Sequence, residues 1–222
     1  MNAVAWDLQL LNLFAALLLL LSFAMLSQRR IVSLVNLLAL QGLMLWTATL
    51  LLAWRTGQGH LYISAALTFA LKVLLLPWLL HRMIRRLEVY WETEPVINPA
   101  GTMLVGVLIV IFSFGLAQPI AELASTTTRS AIGIAVSVIL LAFLMMITRR
   151  KALSQVIGFL SMENGLFFGA MSATYGMPMV VELGVALDVL VAMLVLGVFF
   201  FQIREQFDSL DLHHLESLRE RD

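Results

Sequence analysis

Apolar runs and short polar breaks alternate along this chain from its first residues to about position 203. A helix that crosses a bilayer needs about 20 mostly apolar residues. Seven stretches have that character: 7–27, 31–54, 61–81, 100–120, 130–148, 152–175 and 179–201. The pattern predicts an all-α, polytopic membrane protein with seven transmembrane helices. Segment 61–81 stays apolar around Lys72 and Pro77, and 130–148 is the shortest. The connection 82–99 is the longest, and the tail after Ile203 is polar. A cleaved signal peptide opens with basic residues. Here none precedes Arg29, so the first run is expected to be a retained membrane helix.

Composition agrees. The 222 residues are 61% hydrophobic and 13% charged. A soluble domain runs nearer 45–50% apolar and about 25% charged. That excludes a soluble globular domain, and such high hydrophobicity excludes disorder. There is no cysteine, which removes disulfides, thiolate metal sites, Fe–S ligation and a Cys nucleophile. The formal charge is zero, which makes no case for nucleic acid as a partner. The chain has no phosphate loop, nucleophile elbow, HExxH or pair of helical histidines suited to haem. No catalytic residue, metal or cofactor is therefore expected in it. His213 and His214, adjacent on a polar tail, read as solvated side chains.

The placement of charge says more than its sum. Cytoplasmic loops of membrane proteins are enriched in Lys and Arg. Eleven basic residues fall on alternate connections: Arg29, Arg30; Arg82, Arg85, Arg86; Arg149, Arg150, Lys151; Arg204, Arg219, Arg221. The opposite side has Arg55 and Arg129. This predicts an N-terminus outside and a C-terminus in the cytoplasm. Residues 1–99 form a three-helix unit with a cytoplasmic loop, 100–129 a linking helix and outer loop, 130–203 a second three-helix unit, and 204–222 a tail. ALKVL at 70–74 matches ALDVL at 186–190. Gln41-Gly42-Leu43 matches Asn164-Gly165-Leu166, each on a helix opened by basic residues. These matches raise the possibility of a parallel repeat of helices 1–3 and 5–7.

Three charges remain inside membrane segments: Lys72, Glu163 and Asp188. A Lys or Asp costs about 2.5–3.5 kcal/mol at a helix centre on insertion scales. At about 1.5 Å per residue, Lys72 lies about 16 Å into its helix, Glu163 about 16 Å from the start of its own and Asp188 about 13 Å. All three should sit near the midplane, where they could form a lateral chain. A carboxylate in low dielectric can take and give a proton near neutrality, and a nearby Lys changes its affinity. The three residues therefore read either as a proton relay or as a structural ion pair with one further carboxylate. Gln41, Asn164 and Glu182 are possible relay or packing residues. Membrane Asn and Gln often serve as interhelical hydrogen bonds, and Glu182 lies near a helix end. Pro77 is expected to kink its helix a turn beyond Lys72. Gly165 and Gly169 form a GxxxG pair suited to close helix contact.

The stretches RRKALSQVIGFLSMENGLFFGA (149–170), ELGVALDVLVAMLVLG (182–197) and FALKVLLLP (69–77) resemble the hydrogenase-4 component E family. The SMENG and LKVLLLP blocks are the specific part, and the likeness covers most of the chain. The unit 130–203 is also similar to the K-type subunit of complex I and to the C subunit of multisubunit Na⁺/H⁺ antiporters. The shared features are a helix opened by two arginines, an IG block, an intramembrane acid and a tail from Asp208-Ser209-Leu210 to Leu218. The K-type acid would fall at Leu160. This chain has Glu163, nearly one turn on, which keeps the face and moves the acid about 4.5 Å in depth. Asp188 takes the place of that family's second membrane Glu.

The resemblance implies a non-catalytic subunit in the cell inner membrane, within a hydrogenase complex. Its partners would be antiporter-like and docking subunits and, through them, soluble Ni–Fe and Fe–S subunits that hold the redox chemistry. Lys72, Glu163 and Asp188 would extend a lateral axis for proton or sodium movement. A structural spacer and a stand-alone small ion transporter are the alternatives.

Overall fold

The computed structural model describes residues 2–57, 59–87, 98–122, 126–174 and, beyond these, Gly184, Leu187, Val189, Leu190, Val191, Met193 and Gly197. Helix α1 spans Asn2–Ser27, α2 Ile31–Thr56 and α3 Gly59–Thr68. A π-helical segment, Phe69–Leu75, joins α3 to α4, Leu76–Leu87. Helices α5 (Pro99–Glu122), α6 (Thr126–Thr148) and α7 (Ala152–Thr174) follow. Among the described residues, six helical stretches are long and apolar enough to cross a membrane. They coincide with the first six apolar runs, and the chain is a multi-pass membrane protein. The seventh, 179–201, lies mostly outside the described residues. Those described from Gly184 to Gly197 are helical, and Val191 is buried as part of the apolar core.

One boundary moved. Residues 82–87 are helical, not part of the loop 82–99 that the sequence predicts. The segment HRMIRRL is amphipathic: Met83 and Ile84 are buried, while Arg82, Arg85 and Arg86 stay exposed. Basic side chains near a helix C-terminus are also favoured by the helix dipole. The apolar count stops at His81, but the buried face does not.

Helices α1, α2, α7 and α6 close into a four-membered ring, each packed on the next. The α3–π–α4 rod lies against α2, and α5 lies against α6 and α1. Leu104, Leu108, Ile111 and Phe112 of α5 are exposed. Large apolar side chains facing outward are normal where lipid is the solvent.

Arg149, expected among the cytoplasmic surface charges, is instead buried. Its Nη2 donates to the carbonyls of Leu26 at 3.1 Å, Gln28 at 2.5 Å and Met25 at 3.4 Å. The last carbonyls of a helix have no intrahelical donors. The guanidinium supplies them for α1 and ties that end to the end of α6.

Candidate functional site

The apolar core comes in two clusters. One gathers Met25, Leu38, Leu76, Leu80, Met145, Ile157 and Leu160. The other gathers Leu18, Leu45, Leu61, Val138, Phe167 and Met171. Between them, helix by helix, sit polar residues: Ser22 on α1, Gln41 on α2, Lys72 on the π segment, Glu163 and Asn164 on α7. All five are at most 3% exposed.

These side chains form one connected row. Lys72 Nζ donates to Glu163 Oε1 at 2.8 Å, a salt bridge, and to Asn164 Oδ1 at 2.8 Å. Asn164 Nδ2 donates to Gln41 Oε1 at 3.4 Å. Gln41 Nε2 donates to Ser22 Oγ at 2.9 Å. Ser22 Oγ donates to the Leu18 carbonyl at 2.9 Å. The ammonium also lies 5.5 Å from the centre of the Phe167 ring. A buried charge is tolerable when it is paired and hydrogen-bonded, and both conditions hold for the ammonium.

The backbone around Lys72 is as unusual as its side chain. The Leu76 N–H donates to the Leu71 carbonyl, five residues back. In an α-helix the ring of Pro77 would press on the carbonyl four residues earlier, which belongs to Val73. A wider turn relieves that contact, and single π turns in helices occur often at functional sites. Pro77 was expected to kink the helix beyond Lys72; the structure places the irregularity before the proline, around the lysine itself. His81 Nδ1 lies 2.7 Å from the Pro77 carbonyl, within the same helix.

Of the residues singled out from sequence, Lys72, Glu163, Asn164 and Gln41 are brought together. Asp188 and Glu182 lie outside the described residues. Sequence reasoning missed Ser22 and Phe167. A serine among the leucines of α1 carries no signal until its partner is known, and Phe167 is one apolar residue among many. Among the described residues, no three His, Asp or Glu side chains gather as metal ligands would.

The chain is 36% identical over 194 residues to the uncharacterized protein Rv0085 of Mycobacterium tuberculosis, covering 87% of this chain and 88% of that protein. It is 28% identical over 181 residues to hydrogenase-4 component E of Escherichia coli K12, covering 82% and 84%. The corresponding protein of Shigella flexneri matches to the same extent. No family model matches, and no solved structure matches.

Proposed function

Because the chain belongs to the hydrogenase-4 component E family, we propose that it is a non-catalytic membrane subunit of an energy-converting hydrogenase-type complex. In that role it carries part of a lateral charge axis for proton or sodium translocation in the cell inner membrane. Antiporter-like and docking membrane subunits would flank it. Soluble Ni–Fe and Fe–S subunits would hold the redox chemistry. The relative's name and the membrane-length helices support the subunit role. The buried Lys72–Glu163 pair supports the axis.

Moving one proton across the 2.8 Å from Nζ to Oε1 turns an ammonium and a carboxylate into an amine and a carboxylic acid. The net charge is unchanged, but the charge separation disappears. An external charge that approaches either end therefore biases the pair toward one form, and Asp188 is the candidate next step. Asn164 and Gln41 orient the lysine with neutral dipoles and carry the polar row on to α1.

Glu163→Gln keeps the size and removes the charge. The expected result is a complex that assembles and turns over but no longer pumps in inside-out vesicles. Pumping at the wild-type rate in Glu163→Gln and in Asp188→Asn would sink the axis. A purely structural pair is the second reading, favoured by the direct 2.8 Å salt bridge between two buried side chains. It predicts that Lys72→Met with Glu163→Gln restores the assembly that either single change loses, with pumping intact.

A further inference from the structure

Buried hydroxyls on membrane helices usually donate to the carbonyl four residues back. Ser22, Thr49, Ser113, Ser137 and Thr148 all do so here. Ser64 and Thr68 do not. Ser64 is 6% exposed and Thr68 is 0% exposed, and neither hydroxyl oxygen has a hydrogen-bond partner. A buried hydroxyl left unsatisfied costs about 1–3 kcal/mol. Two in succession on one helix are a pattern.

Their position gives the pattern a direction. Residues four apart on a helix are neighbours on one face, and Ser64, Thr68 and Lys72 are spaced that way. All three are buried. The row begins about one turn inside the span, whose first residue is Leu61. It ends at the ammonium that holds Glu163. Buried polar groups with no protein partner are the usual holders of internal water.

We propose that Ser64 and Thr68 bind ordered water on the inner face of α3, and that this water joins Lys72 to the N-terminal end of that helix. Each hydroxyl gives a water one donor and one acceptor, and Lys72 supplies the far terminus. The polar row then has two arms. One runs sideways through Asn164 and Gln41 to α1. The other runs along α3. The α3 arm's role in proton movement rests on the relay proposed above; the water itself does not.

The test is a cryo-EM map of the native complex, fine enough to show water, beside proton uptake in vesicles. Density should stand within hydrogen-bonding distance of Ser64 Oγ and Thr68 Oγ1. Thr68→Val should remove it and slow proton uptake, while Thr68→Ser keeps both. An empty face overturns the proposal, as do hydroxyls rotated onto the carbonyls of His60 and Ser64, or density that follows the sodium concentration. If the water is present and Glu163→Gln still pumps, the relay fails and the water site stands. If the face is dry and Glu163→Gln is blocked, the relay stands and the water site fails.

Discussion

Gly42 of α2 lies directly against the backbone of Lys72. A Cβ at position 42 would stand 3.1 Å from the Lys72 carbonyl oxygen and 3.1 Å from its Cβ. The first neighbour is backbone, so it cannot rotate away. The glycine therefore lets α2 approach the wide turn closely enough for Gln41 to meet Asn164. Gly42→Ala should cost about 1–3 kcal/mol, the usual range for overpacking, and should weaken pumping more than its stability loss explains. Thermal unfolding in mild detergent beside vesicle pumping checks both. An alanine variant with native stability and pumping would show that the approach is not needed.

Pro77→Ala should separate stability from function. A helix-interior proline costs about 3 kcal/mol in soluble proteins, so its removal should leave the fold as stable or more so. It also removes the contact that the wide turn relieves. The turn should tighten to α geometry, Lys72 should rotate away from Glu163, and pumping should fall. Full pumping in a stabilised variant would detach the proline from the site.

Arg149 holds the Met25 and Leu26 carbonyls of α1 and that of Gln28 just beyond it. Hydrogen bonds to charged groups contribute about 1.5–3 kcal/mol, and Arg149→Gln should destabilise by about that much. Arg149→Lys should not rescue fully, because an ammonium lacks the planar fork. Arg150, next to it and exposed, should lose less stability when changed to Gln than the buried Arg149 does. Comparable unfolding midpoints for the 149 and 150 variants would contradict the clamp.

The GxxxG pair faces α6. A Cβ on Gly165 would lie 2.9 Å from Val138 Cγ1, and one on Gly169 2.9 Å from Ala135 Cβ. Gly165→Ala should cost about 1–3 kcal/mol. Adding Val138→Ala should return part of it, because the clash is with that side chain. A double-mutant cycle reads the coupling directly, and strict additivity would mean the two positions do not meet.

Apolar run length was enough to place six helices, with ends off by as much as six residues, because hydrocarbon thickness admits few alternatives. Lys72 and Glu163 were legible for the same reason: a charge stands out where charge is costly. Their contact was not. Depth along a helix can be counted, whereas the azimuth depends on which helices neighbour each other, and uniformly apolar helices carry no moment to say so. The same gap hid Ser22, which acquires meaning only from Gln41, and Arg149, which sits in a basic cluster and is set apart only by the carbonyls it meets. The π turn was half legible, since Pro77 announced an irregularity without its side.

Glu163 follows Lys72 by 91 residues. At about 5–20 residues per second of synthesis, the lysine reaches the membrane several seconds before its partner exists. A lone Lys at mid-helix is costly in lipid, so the 61–86 helix should wait at the insertion machinery or beside α2 until α7 arrives. The ion pair can therefore form only once the chain has been made as far as α7. Chains that stop short of α7 lack Glu163, and they should be less stable in the membrane than the finished subunit.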